Sequence, residues 1–375
     1  MRANNDNNLF ICNTVYQTMV ALWISHRYLT GERIEFWISD HMNNGDIIAE
    51  KINKLCNDYK AKYIKTKSYI RYDVYWNKNP RYWRMFPQKL LAKFVEAKST
   101  YKRIFIANMD RFAQMSYNAL SHIQKTKPRL FLYEDGISTY SLFMKKMYDD
   151  TRLVSPKKYR QKIFRKICHD QSIWGNIRGA LVFCPKLMSW TPSRNIRIDK
   201  IDSSDMIYRN IVNEVFDYQG IEEGYNRKYI FMEESYFADG IEVNDVQMIE
   251  KIADKVGKEN IMIKIHPRNP INRFEELGYK TNKNTSIPWE VICMNNKDIT
   301  DKILISISSA SIVMPSVIFG YNIKAYSLLN SLSSNNAITE KIGSELIDMV
   351  KKFYGLYKVK MIESEQDLTE IINAF

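Results

Sequence analysis

Short apolar runs that alternate with longer amphipathic stretches constrain this chain more than any other feature. A run of four or five apolar residues reads as a buried strand. A stretch with apolar positions three and four residues apart reads as a helix lying on it. Their alternation is the signature of βαβ units on a parallel sheet. In the first half the pattern predicts strands at 9–12, 34–38, 103–107 and 130–133, with helices at 15–28, 47–59 and 112–123. Between 186 and 224 the rhythm breaks into KLMSWTPSRNIRIDKIDSSD and YQGIEEGYN, which are polar and punctuated by Pro, Ser and Gly. A second series follows, with strands at 229–232, 261–265 and 303–307, helices at 245–256 and 288–294, and a further helix after the last strand. The expected organisation is one Rossmann-like domain over 1–190, a linker over 191–224 and a second Rossmann-like domain over 225–375.

The 375 residues are ample for two packed cores. Five cysteines, an odd number set far apart with no CxxC, give no disulfide framework and favour a reducing compartment. The N-terminal 31 residues have no signal-peptide layout, and 18 consecutive apolar residues occur nowhere. The expected location is therefore cytoplasmic, either soluble or peripheral on a membrane surface. A net charge of +13 favours an anionic partner without choosing among nucleic acid, lipid headgroups, a nucleotide or an acidic glycan.

Four strand-end sites carry chemistry. In open α/β sheets ligands bind at the carboxyl ends of the strands. Glu134, Asp135 and Gly136 follow the strand FLY. Gly136 permits a tight turn, and the Asp135 carboxylate could take a proton from an attacking hydroxyl; such an acid also serves as an ordinary turn or cap residue. His266, Pro267 and Arg268 follow IMIKI. His266 is placed to donate to a phosphate or protonate a leaving group, and Arg268 adds a fixed positive fork. Ser308 and Ser309 open a predicted helix, where hydroxyls and exposed amides can cradle a phosphate or simply cap the helix. Glu290, two residues after Pro288, could bond the hydroxyls of a ribose or merely favour the helix dipole.

Other motifs are absent from the sequence. It has no GxGxxG, GxxxxGK[ST], HExxH or GxSxG, and no zinc spacing of Cys and His. No D-x-D occurs, so the two-carboxylate grip on a metal-bound nucleotide sugar is missing. Two broader stretches remain. Residues 152–166 hold seven basic side chains and no acid on an amphipathic pattern that suits an anionic membrane surface or a solvated helix face. Residues 69–86 set seven aromatic rings among basic residues, which suits stacking on sugars or bases, or a core.

Taken in order, EDG at 134–136, HP at 266–267, P-x-E at 288–290 and the serines at 308–309 resemble the motifs of bacterial sialyltransferases. The similarity is greatest to the lipooligosaccharide sialyltransferases of glycosyltransferase family 52, whose chains also open with a strand and polar turn like 10–17, here with Asn13, Thr14 and Gln17. The resemblance implies a GT-B fold, two Rossmann-like domains facing each other across a cleft. It also implies inverting, metal-independent transfer of N-acetylneuraminic acid from CMP-Neu5Ac to a galactose-type residue of an oligosaccharide acceptor, with an α2,3 linkage and no cofactor. On that resemblance Asp135 is the general base, and His266 meets the CMP phosphate and acts as general acid. Glu290 binds ribose or cytosine, Ser308 and Ser309 hold the phosphate, and a homodimer is common. The donor carries one phosphate and no diphosphate, so hydrogen-bond donors and dipoles suffice for its departure, in agreement with the missing D-x-D. Two alternatives stay open. One is a GT-B enzyme using another CMP- or UDP-sugar. The other is a non-catalytic binder of nucleic acid or acidic polymer, which the lack of any nucleic-acid module disfavours.

Overall fold

The computed structural model describes residues 7–66, 100–124, 126–141, 173–190, 193–221, 223–331, 338–340, 343–364, 367 and 371. The stretches 69–86 and 152–166 lie outside the described residues. The chain divides into two compact units, Met1–Asp135 with Leu142–Ile198, and Gly136–Ser141 with Asp199–Phe375.

The first unit is built on seven parallel strands: β1 (Asn7–Cys12), β2 (Ile34–Ser39), β3 (Tyr59–Ile64), β4 (Tyr101–Ile106), β5 (Arg129–Tyr133), β6 (Ile177–Val182) and β7 (Asn195–Arg197), in the order β3-β2-β1-β4-β5-β6-β7. The register sets Phe36, Phe10, Phe105 and Phe131 in one row across four strands. Their rings stack at 5.7, 4.4 and 5.5 Å, a buried ladder that fixes the register by shape as well as by hydrogen bonds. Helix α1 (Val15–Tyr28) has the predicted bounds. Thr14 caps it by accepting the Gln17 amide at 3.1 Å, and every residue from Gln17 to Ser25 is buried. Helices α2 (Gly45–Leu55) and α3 (Arg111–Ile123) complete the unit among the described residues.

The second unit has six parallel strands: β8 (Tyr229–Met232), β9 (Ile261–Lys264), β10 (Lys280–Thr281), β11 (Ile303–Ser306), β12 (Lys324–Ser327) and β13 (Lys360–Met361), in the order β10-β9-β8-β11-β12-β13. Ile263, Phe231, Ile305 and Tyr326 form the matching buried row. Its helices are α4 (Met206–Val215), α5 (Asp245–Val256), α6 (Arg273–Glu276), α7 (Trp289–Asn295), α8 (Met314–Ile318) and α9 (Ser344–Leu356). In both sheets the order reverses beside the first strand, at β1/β4 and at β8/β11, the point at which a doubly wound sheet opens a ligand crevice. No helix among the described residues is long and apolar enough to cross a membrane.

Three sequence expectations differ from this picture. The helix predicted at 47–59 ends at Leu55, where Cys56 turns extended, and 59–64 is a strand. Its sequence YKAKYI places only Ala61 inside, so an edge strand carried mostly by polar residues gave no apolar run. Strands β6, β10, β12 and β13 went unread. The stretch 191–224, read as a linker, contains β7 and helix α4. The Ser-Ser-Asp punctuation at 203–205 is the start of α4: Asp205 accepts the Tyr208 amide at 3.0 Å, and Tyr208, Val212 and Val215 form its buried stripe.

Candidate functional site

In the first unit the polar residues gather at the carboxyl ends of β1, β4 and β5. Tyr133, the last residue of β5, donates its hydroxyl to the Ile11 carbonyl at 2.9 Å and so ties the tips of β5 and β1 together. Three residues on, Gly136 takes φ +66°, a backbone state that side chains resist, and the chain turns away just after Asp135. The Asp135 carboxylate is held by amides. Gln17 donates Nε2–H to its Oδ1 at 2.8 Å, and Asn108 donates Nδ2–H to Oδ2 at 3.5 Å. Gln17 is itself fixed because the Asn13 amide donates to its Oε1 at 2.6 Å, while the Asn13 side chain donates to Asp110. Asp110 caps α3 by accepting the Ala113 amide at 2.7 Å, and burial pushes its carboxyl up from the ordinary carboxylate range. Asn13, Gln17 and Asp135, singled out in the sequence, thus come together, with Thr14 beneath them as the cap of α1. Glu134 points elsewhere: it is fully buried and accepts the Phe183 amide at 3.2 Å, at the tip of β6.

In the second unit the tips of β8, β9 and β11 carry the remaining candidates. The His266 amide donates to Glu233 Oε2 at 3.0 Å, and the Arg268 amide donates to His266 Nδ1 at 3.2 Å. An accepting Nδ1 puts the proton of the neutral ring on Nε2. Burial, with Arg268 and Lys264 adding like charge, lowers the imidazole to about 4. At neutral pH the ring is therefore a fixed donor through Nε2–H rather than an imidazolium. Pro267 forms the turn between His266 and Arg268, and Arg268 is pinned on Asp239 and Ser235. Behind the turn Glu233 also accepts from Arg273 at 3.1 Å, and Arg273 grips Asp245 with two nitrogens at 2.7 and 3.2 Å.

The serine loop differs from the open phosphate cradle expected of it. The Ser308 amide donates to Glu234 Oε1 at 2.6 Å, the Ser306 hydroxyl donates to the same oxygen at 2.7 Å, and the Ser309 amide donates to Ser306 Oγ at 2.9 Å. A resident carboxylate therefore fills the amide nest. Burial pushes Glu234 up to about 7 in spite of these donors. Ser308 Oγ pairs with the Tyr236 hydroxyl, whereas Ser309 Oγ accepts the Ser311 amide at 3.2 Å and keeps its own hydrogen to donate. Glu290 lies in the first turn of α7, only 7 % exposed, with its carboxyl pushed up to about 7 by burial against the opposing pull of Lys264.

The family model described as "Alpha-2,8-polysialyltransferase (POLYST)" matches residues 8–329, a span that includes every candidate in both units. The chain belongs to this alpha-2,8-polysialyltransferase family. As a polysialyltransferase-family protein it is a glycosyltransferase, and its two Rossmann-like units are those of the GT-B fold. The family is one of sialyltransferases, as the sequence resemblance implied, but its name carries an α2,8 linkage whereas that resemblance ran to the lipooligosaccharide type. No curated protein matches the sequence. Solved structures with a similar course include LpCGTa in complex with UDP, at 9 % identity and TM-score 0.48 over 98 % of this chain and 90 % of that one. A UDP-glucosyltransferase from Polygonum tinctorium gives 10 % and 0.42 over 100 % and 99 %. The E. coli heptosyltransferase WaaC with ADP gives 11 % and 0.35 over 86 % and 87 %.

Asn108, Asp110, Glu233, Glu234 and Tyr236 of this polysialyltransferase-family protein escaped the sequence reading. Asn108 and Asp110 follow β4 as IFIANMD, and Glu233 and Glu234 follow β8 as YIFMEE, so the strand-end rule that found Asp135 would have found them too. The buried acid Glu290 makes one prediction. Its folded-state proton affinity lies above the unfolded value, so its contribution to stability is fully present below about pH 4.3 and lost as pH rises to about 7, a loss on the order of 3 kcal/mol. Glu290→Gln should therefore gain stability relative to the parent between pH 4.5 and pH 7.5 or so. Urea unfolding across that range gives the difference curve, which separates Glu290 from Glu234 and His266. A flat difference would mean that Glu290 is ionised throughout.

Proposed function

We propose that this glycosyltransferase moves sialic acid from CMP-N-acetylneuraminic acid to the terminal sugar of a bacterial surface glycan, with inversion and without a metal ion. The observation that carries this reading is Asp135, a strand-tip carboxylate in the EDG sequence held in one orientation by Gln17 and Asn108. In the proposal Asp135 takes the proton of the attacking acceptor hydroxyl as the new glycosidic bond forms and the bond to the CMP phosphate breaks. The departing phosphate gathers charge. In the second unit His266 Nε2–H and the Ser309 hydroxyl supply hydrogen bonds to it, and Lys264 and Arg268 supply positive potential. Glu290 is assigned to a hydroxyl or amino group of the nucleoside. The family's name favours the 8-hydroxyl of a terminal sialic acid as nucleophile over the 3-hydroxyl of galactose.

The test is direct. Purified protein in EDTA, given CMP-sialic acid and labelled acceptors ending in sialic acid or galactose, should release CMP and extend the acceptor. Preference for a UDP-sugar, or a requirement for added divalent ion, would displace the proposal. The acceptor that is extended decides between the two linkages.

A further inference from the structure

Helix α1 is buried from Gln17 to Ser25, and Met19, Val20, Ala21, Leu22, Trp23 and Ile24 give it an almost wholly apolar surface. Gln17 is fully buried among them. A buried carboxamide with an unmet end costs about 1–3 kcal/mol, so its presence calls for partners at both ends. Both are met. The Asn13 amide can only donate, so the group facing it at 2.6 Å must be the carbonyl oxygen of Gln17, and the amide nitrogen is then obliged to face Asp135 at 2.8 Å. The orientation of the carboxamide follows from the backbone donor alone.

We infer that Gln17 is the positioning residue of the base: its Nε2–H, aimed by the Asn13 amide, bonds Asp135 Oδ1, orients the carboxylate and stabilises its ionised form. The inference rests on the reading of Asp135 as the base. Asn108 Nδ2–H also reaches Asp135, at Oδ2, at 3.5 Å. The groups around the pair are Cys12 and Asn13 at the tip of β1, Asn108 and Asp110 after β4, Tyr133 in β5, and His41 beside Asp110. Burial holds Tyr133 and Cys12 as neutral groups, Cys12 at about 12, so neither competes for the proton in the working range.

Gln17→Glu tests this. It keeps the shape of the side chain and replaces the N–H facing Oδ1 with a second carboxyl, so that two acids share a proton. The acid limb of the kcat–pH profile should move upward by at least about one unit, a roughly ten-fold loss of kcat at fixed pH on that limb, with the donor KM within about two-fold of the parent. A residue that served packing alone would lower the melting temperature and leave the limb in place. An unmoved limb overturns the assignment. If Gln17→Glu does not fold, Gln17→Met removes the donor at equal length and should shift the limb in the same direction; no shift there overturns it equally. Asp135→Asn separates the two layers. If that variant turns over normally, the reading of Asp135 itself fails; if it is inactive while the Gln17 variants keep the parent limb, only the role of Gln17 fails.

Discussion

Asp135→Asn should lower kcat at least about 100-fold, or about 2.7 kcal/mol of transition-state stabilisation, at saturating donor and acceptor. The substitution is nearly isosteric. An Asn oxygen can still accept from Gln17 Nε2, so the local packing and the ties among Asn13, Asn108 and Asp110 should survive. What is lost is an oxygen able to keep a proton taken from a sugar hydroxyl. The donor-binding groups assigned above, His266, Glu290 and Ser309, belong to the second unit, so the affinity for CMP should stay within about two-fold of the parent. A kcat effect without a matching change in CMP binding is the signature of an interaction made only in the transition state. Steady-state kinetics with calorimetric titration of CMP measures both. A variant that retains a tenth or more of the parent kcat would remove Asp135 from the role of base.

The residues legible in the sequence were those that obey a local rule. Asp135 and His266 stand just after apolar strands, and α1 announced itself through the length of its apolar run. What stayed hidden depends on who faces whom. The serines at 308–309 look from sequence like an open anion nest, yet Glu234, 74 residues before Ser308, has filled it. Glu134 and Asp135 are neighbours with equal claims as acids. Only the turn of the chain after β5 shows that one is spent on Phe183 inside the protein while the other is held at the tip by Gln17, 118 residues away. The same holds for strands. β3 and β7 lie at the edges of the sheet, where a three-residue or mostly polar strand suffices because one face or one side meets water, and neither leaves a periodic mark.

The His266 turn depends on a charge network that no single segment reveals, and that network carries the largest expected effect on stability. Glu233 and Asp245 have side chains 1 % and 4 % exposed, and Arg273, 22 % exposed, is the cation that bonds both. Its guanidinium also lies over the Phe237 ring at 5.0 Å and the Phe274 ring at 5.4 Å, cation–π contacts that add to its hold. Arg273→Met keeps the apolar stem and removes the charge, leaving two carboxylates facing each other out of water. Breaking a buried pair in this way costs about 3–5 kcal/mol, because the unpaired ions remain desolvated. Replacing all three charged groups at once, as Arg273→Met with Glu233→Gln and Asp245→Asn, should recover most of that loss, since the penalty belongs to the stranded charges and not to missing attraction. Chemical denaturation of the full chain provides both values. A single substitution costing under about 1 kcal/mol would show that water reaches the carboxylates, and a triple variant no more stable than the single one would show that the bonds themselves, including the Glu233 link to the His266 amide, hold the turn in place.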